Sequence, residues 1–193
     1  MKILNLYCGL GGNRKHWEGH QITAVEQDLS IGNAYAELYP QDRVIIGDAH
    51  EYLLNNYKDY DFIWSSPPCQ SHGQYRYNVG FRAKAYKALY PDLKLYEEIL
   101  FLKHYYTGNW VVENTKPFYL PLVEPTAKLG RHIFWSNFDI PDKFFGPSNM
   151  RSKNKISDYE GFDISHTGIS NKRQVLRNCV EPELGQYVLE CIK

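Results

Sequence analysis

The sequence predicts an α/β fold, a mostly parallel central sheet flanked by helices, with a small loop-rich insert. Three observations carry that expectation. A glycine loop, Cys8-Gly9-Leu10-Gly11-Gly12, follows directly on the β-favouring run Lys2 to Tyr7. Short apolar runs then alternate with helical stretches, and two of these runs end in polar residues suited to chemistry, Ser65 to Gln70 and Glu113-Asn114. Ligands of open α/β sheets gather at such strand ends. Finally, the composition changes at Pro141, after which Gly, Ser, Asn and Lys dominate as far as Asn171.

A chain of 193 residues is long enough for one domain with a substantial core. Lysine plus arginine number 22, as do aspartate plus glutamate, so no global field attracts a polyanion and any nucleic-acid site must be a local patch. No apolar run is long enough to span a bilayer, and Met1-Lys2 leads into the first strand without a signal peptide. The cysteines, Cys8, Cys69, Cys179 and Cys191, show no Cys-x-x-Cys pairing and no metal-ligand spacing with histidine. No metal site is expected, and a reduced, cytoplasmic protein fits.

Each element has its own reason. The glycines after strand one let a backbone approach a ligand, and a helix start after them would offer free N–H groups. A tight structural turn is the equal alternative, since the spacing is neither Gly-x-Gly-x-x-Gly nor a phosphate loop. Gln21 to Val25 reads as strand two, ending in Glu26-Gln27-Asp28, where an acid either holds a ribose diol or lies free at the surface. Ser30 is a candidate N-cap for a helix that Pro40 stops. Arg43 to Ile46 reads as strand three. Asp48 after it either meets a base amine or caps the helix through Leu54.

Asp61 to Trp64 reads as buried strand four, and Ser65-Ser66-Pro67-Pro68-Cys69-Gln70 ends it in a stiff turn that presents a thiol. A polar loop from Ser71 to Gly80 follows, then a basic run, Arg82, Lys84 and Lys87, interleaved with Tyr86 and Tyr90. Leu93 to Tyr106 is the clearest helix: Leu95, Ile99 and Leu102 form its inner stripe, Glu97, Glu98 and Lys103 lie elsewhere, and Gly108 ends it. Trp110 to Val112 reads as strand five, with Glu113-Asn114 at its end. Arg131 to Ser136 reads as a further strand, and Pro182 opens a short amphipathic helix through Leu184, Val188 and Ile192.

Taken in order, these pieces resemble the DNA cytosine carbon-5 methyltransferases. Tyr7 to Gly12 is similar to that family's motif I, Pro67-Pro68-Cys69-Gln70 to its Pro-Cys-Gln motif IV, and Glu113-Asn114 to its Glu-Asn-Val motif VI. Arg131 to Asn137 is similar to motif VIII, and Arg173 to Asn178 to motif IX. The matches span nearly the whole chain and together shift Cys69 from a buried thiol to a nucleophile.

The resemblance implies a Rossmann-like methyltransferase fold with S-adenosyl-L-methionine as donor. Cys69 would attack carbon 6 of cytosine, Glu113 would meet ring nitrogen 3 and the exocyclic amine, and Arg131 would stabilise the ring or a phosphate. Tyr7, Gly9, Gly11, Gly12, Glu26, Gln27, Asp48, Ala49 and Pro67 would hold the donor. Gln70, Ser71, Asn114, His132, Arg173 and Asn178 would serve the substrate, a cytosine flipped from duplex DNA.

This chain departs from the family at several points. Asn5 stands where many members have aspartate, Thr115 where the family has valine, and Arg177 where it has glycine. Either Arg131 or His132 takes the motif VIII role. The expected organisation is a core over 1–140, a reduced recognition insert over 141–171 and a returning segment over 172–193. So short an insert implies loose readout or completion by a homodimer or a partner chain, and compact size suits a bacterial or phage source. A silent nucleic-acid-binding relative, or the same chemistry on RNA or a free nucleotide, are the competing readings.

Overall fold

The fold is known from a computed structural model, which describes residues 1–82, 84, 87–145 and 161–192. Among the described residues seven strands form one sheet in the order β3-β2-β1-β4-β5-β7-β6. They are β1 (Lys2–Leu6), β2 (Gln21–Glu26), β3 (Arg43–Ile46), β4 (Phe62–Ser65), β5 (Asn109–Thr115), β6 (Ala127–Leu129) and β7 (His132–Ser136). The first five are parallel, while β7 runs antiparallel to β5 and β6 antiparallel to β7. The helices are α1 (Leu29–Leu38), α2 (Ala49–Asn56), α3 (Lys94–Tyr105), α4 (Lys172–Asn178) and α5 (Pro182–Glu190). This is a Rossmann-like arrangement. Its strand order reverses between β1 and β4, the crevice where such folds bind ligands. Among the described residues no helix is long and apolar enough to cross a membrane.

Alternation along the strands divides the core into two faces. Leu4, Leu6, Val25, Ile63, Val112 and Trp135 pack on one face with Leu95, Ile99 and Leu102 of α3. Ile3, Phe62, Trp64, Val111 and Phe134 pack on the other with Trp17 and with Leu184 and Val188 of α5. Each large side chain so buried contributes about 1.5–3 kcal/mol. Trp17 also donates its indole N–H to the Gly185 carbonyl at 3.1 Å, which ties the stretch after the glycine loop to α5.

That stretch is not the helix expected from the sequence. Residues 8–17 form successive tight turns, closed by Gly11 N–H to Cys8 O and Arg14 N–H to Gly11 O. Gly9 and Gly11 sit at φ +53° and +72°, which breaks any helix start. Arg14 anchors the turns through Asp42, with Nε to Oδ2 at 2.6 Å and NH2 to Oδ1 at 2.9 Å. Asn5, fully buried, pairs amide to amide with Asn13; an aspartate there would need a compensating partner in the core.

Two further local expectations are corrected. The α1 cap is Asp28, whose carboxylate accepts from the N–H groups of Ser30 and Ile31, so Ser30 lies inside the helix. The α3 helix is capped by Tyr106, and Gly108 is needed instead because a Cβ there would stand 2.5 Å or less from the Tyr106 ring and hydroxyl. Of the expected insert, residues 146–160 and the basic side chains among them lie outside the described residues. Phe162, Ile164 and Ile169 pack into the core beside Leu10, Tyr35 and Tyr39.

Candidate active site

The C-terminal ends of β1, β2, β4 and β5, joined by the start of β7 and residues 175–180, enclose a cleft of about 350 Å³. Of the residues picked out in the sequence, Tyr7, Gly9, Gly12, Glu26, Gln27, Asp48, Ala49, Pro67, Cys69, Gln70, Glu113, Asn114, Arg131, His132 and Asn178 line it. Gly11, Ser71 and Arg173 do not. Gly11 faces inward, where a Cβ would meet the rings of Tyr39 and Tyr35 at 2.6 and 2.7 Å. The Ser71 hydroxyl accepts from Asp92 N–H, and Arg173 is exposed on α4. Ser71 instead borders a smaller hollow of about 180 Å³ with Arg76, Lys87 and Phe118, on whose ring Tyr77 stacks at 4.4 Å.

On the β1–β2 side, Glu26 fixes its carboxylate with two backbone donors, Gly9 N–H at 3.1 Å and Asp28 N–H at 3.0 Å. No atom lies within 4 Å of where a Gly9 Cβ would stand, so the backbone is bare to the cleft. Gly12 serves a different purpose: a Cβ there would be 2.3 Å from the Val180 carbonyl, so its absence lets residues 179–180 close against the loop. Asp48 caps α2 by accepting from Glu51 N–H at 3.0 Å, and Lys94 lies 3.4 Å away. Those donors hold its carboxyl below the usual range, the Glu51 N–H foremost, with Lys94 adding to it.

Beneath this side lies a carboxylate the sequence placed elsewhere. Glu98 of α3 is completely buried. It accepts from the Tyr7 and Ser65 hydroxyls, both at 2.5 Å, and meets His50 Nδ1 at 3.0 Å. One acid thus ties the ends of β1 and β4 to α2, and holds Tyr7 at φ +54°. The His50 pKa is raised, chiefly by its hydrogen bond to Glu98.

On the β4–β5 side, the proline turn carries Cys69, half-buried, with its carbonyl accepting from His72 and Gly73 N–H at 3.0 and 2.9 Å. Asn114 locks the turn by donating Nδ2–H to the Pro67 carbonyl at 2.9 Å. Burial, and then the charge of Glu113, push the Cys69 thiol up; the Thr115 hydroxyl and the Arg131 guanidinium act against them. The Thr115 hydroxyl is buried and has no hydrogen-bond partner among the described residues.

Glu113 lies almost wholly buried, against His132 rather than Arg131. His132 Nδ1 is 2.5 Å from Glu113 Oε1, and its Nε2 is 2.9 Å from Glu181 Oε2. Arg131 turns to the returning segment, donating to Glu181 Oε1 at 3.3 Å and to the carbonyls of Arg177 and Cys179 at 3.2 and 2.9 Å. Sequence reasoning missed Glu181 entirely. Its only local signal is its position before Pro182, which marks a helix start and not a partner for His132. Among the described residues no cluster of His, Cys, Asp and Glu could hold a metal ion.

A Rossmann-like sheet with a ligand cleft at its switch point, a thiol on a strand-end turn and a buried acid beside it define a group-transfer enzyme class. Residues 1–102 match the model of the C-5 cytosine-specific DNA methylase family, more than half of this chain. The chain belongs to that family and is an S-adenosyl-L-methionine-dependent methyltransferase. Among solved structures it is similar to a candidate prophage-encoded DNA modification methyltransferase from E. coli (18% identity, 82% of this chain and 54% of that one, TM-score 0.47). It is similar also to a mutant of Spodoptera frugiperda DNMT2 (24%, 61% and 36%, TM-score 0.42). A third is the SAM-dependent methyltransferase from Agrobacterium tumefaciens (16%, 62% and 40%, TM-score 0.38). The chain therefore spans about half or less of the length of these three proteins. No protein of curated function matches the sequence.

Proposed function

We propose that the chain methylates carbon 5 of cytosine in DNA through a covalent adduct between the ring and Cys69. The observation that carries this reading is the cleft these residues share. It sets Cys69, Glu113 and His132 at the ends of β4, β5 and β7, and Gly9 and Glu26 at the ends of the neighbouring β1 and β2.

The residues on the β1–β2 side fit S-adenosyl-L-methionine. The bare Gly9 backbone offers room for the amino-acid portion, Glu26 an oriented acceptor for a ribose diol, and Asp48 an acceptor for an amine. Gln27, Ala49 and Pro67 form walls, and Tyr7 is fixed in place by Glu98. When bound, the donor supplies an electrophilic methyl group.

The chain's own part is to make carbon 5 nucleophilic. The Cys69 thiolate adds to carbon 6 while Glu113 gives a proton to ring nitrogen 3, so no charge accumulates on the ring. After transfer, water takes the carbon 5 proton as the thiolate is expelled, and the nitrogen 3 proton is given up, which restores the ring. Gln70 and the loop from Ser71 to Gly80 cover the flipped base, Asn178 borders it, and Arg173 supports the segment that bears the site. Arg131, committed to residues 177–181, holds that segment against the cleft. Arg76, Lys87 and the stacked Tyr77 and Phe118 suit nucleotides beside the flipped base.

In this reading residues 1–140 are the core, 141–171 the reduced recognition insert and 172–193 the returning segment. A second copy or a partner chain completes target recognition.

Tritiated S-adenosyl-L-methionine offered with duplex DNA, single-stranded DNA, RNA and cytidine nucleotides tests the proposal. Label is expected in duplex DNA, together with a trapped adduct on 5-fluorocytosine DNA that Cys69→Ser abolishes. Label confined to RNA or nucleotides would overturn the DNA assignment. Full activity in Cys69→Ser would overturn the adduct.

A further inference from the structure

His132 is buried, and each of its ring nitrogens faces a carboxylate: Nδ1 meets Glu113 Oε1 at 2.5 Å, Nε2 meets Glu181 Oε2 at 2.9 Å. An ionised carboxylate can only accept, so filling both contacts takes either two ring N–H groups or a proton on one of the acids. The two arrangements differ by a proton moved across the short His132–Glu113 contact. Strand parity makes the contact. Glu113 pairs with Phe134 and Thr115 with His132 across β5 and β7, which leaves Glu113 and His132 diagonal on one face. Glu181 approaches that face from the start of α5, and is itself held by Arg131.

We infer that His132, clamped by Glu181, is the proton source behind Glu113, and that Glu181 is a positioning residue for the reaction. The inference rests on the methyl-transfer reading above. As the Cys69 sulfur bonds to carbon 6, the electron pair displaced through the ring takes a proton from Glu113 at nitrogen 3. Glu113 has that proton from His132 Nδ1, across the contact they share. His132 is left neutral with its Nε2–H still on Glu181, and Glu113 ends as it began, a carboxylate; the nitrogen 3 and carbon 5 protons leave to water as the thiolate departs. Glu181, 23% exposed at its side chain, gives the imidazole its route to water for reloading.

The groups that face His132 set its titration. Burial opposes the charged ring, but Glu113 of β5 and Glu181 before α5 outweigh burial and the neighbouring Arg131, so its pKa is raised above 6.5. Cys69 titrates beside Glu113 with the opposite sign, rate rising with pH as the thiolate forms, so the two limbs are separable.

The test is the pH dependence of methyl transfer from tritiated S-adenosyl-L-methionine to cytosine-containing duplex DNA, beside 15N NMR of the labelled histidines. In the wild type, a limb that falls with rising pH is expected to coincide with the His132 midpoint read by NMR. Glu181→Gln removes one carboxylate and should move both to lower pH. His132→Arg keeps the charge without a releasable proton; it should erase the limb and lower kcat about 100-fold. A limb that stays in place in Glu181→Gln, wild-type kcat in His132→Arg, or a wild-type limb away from the NMR midpoint would overturn the relay alone. Absence of label from every cytosine substrate would overturn the methyl-transfer reading and the relay with it.

Discussion

Thr115 stands where the family has valine, and the structure gives the difference a use. It is two residues beyond Glu113 on the same face of β5 and directly opposite His132, with a buried hydroxyl near the Cys69 sulfur. A hydroxyl there can donate to a thiolate; a valine cannot. Thr115→Val should therefore raise the Cys69 pKa. Iodoacetamide labelling of Cys69 at pH 7, followed on its peptide by mass spectrometry, should slow about five-fold, the equivalent of roughly 1 kcal/mol for one hydrogen bond. Thr115→Ser should label like the wild type; equal rates in all three would remove the hydroxyl from the thiol's surroundings. At this scale the places of Cys69 and Glu113 in the cleft were legible in the sequence, because one follows a strand in a proline turn and the other lies near the C-terminal end of the next. Glu181 was not legible, because its meaning lies in a contact 49 positions away. Glu98 looked like a surface acid because three donors from three other elements have to be assembled before its burial makes sense.

Among the elements, the strands were the readable part except for the three-residue β6, since apolar runs of four to seven residues in an α/β pattern leave little choice. The turns after the glycine loop were misread as a helix because polar residues there satisfy each other only through Asp42, Asn5 and Gly185, none of them local. The antiparallel insertion of β7 between β5 and β6 was equally invisible, yet it is what brings His132 beside Glu113. Gly185 shows how close the packing of α5 on these turns is: a Cβ there would stand 2.2 Å from the Asn13 carbonyl oxygen. Backbone cannot yield as a side chain tip can, so Gly185→Ala should destabilise the fold by about 2 kcal/mol. Thermal unfolding should register a Tm lower by roughly 4–8 °C; an unchanged Tm would show that α5 shifts without cost.

The whole molecule carries equal numbers of acidic and basic residues, so its response to pH comes from particular pairs rather than from net repulsion. The pair that matters is the His132–Glu181 clamp. The folded pKa of His132 lies above 6.5, so its contribution to stability is complete below that value and is lost as pH rises through the raised one. Glu181 is brought from 4.5 to about 2: burial works against the shift, and His132 and then Arg131 outweigh it. Its contribution is complete above 4.5 and is lost as pH falls toward 2. The two shifts share the His132–Glu181 contact, with Glu113 the larger contributor to the first, so the urea midpoint should peak between pH 4.5 and 6.5 and fall on either side. Glu181→Gln should flatten the acid side; an acid limb unchanged in that variant would place the sensitivity elsewhere. The clamp also sets an order in time. As the chain leaves the ribosome, His132 appears 49 residues before the carboxylate that completes its surroundings. At ordinary synthesis rates that is an interval of about 2–10 s. For that interval a nascent chain holds Cys69, Glu113 and the glycine loop without the carboxylate that, in the proposed relay, completes the clamp on His132.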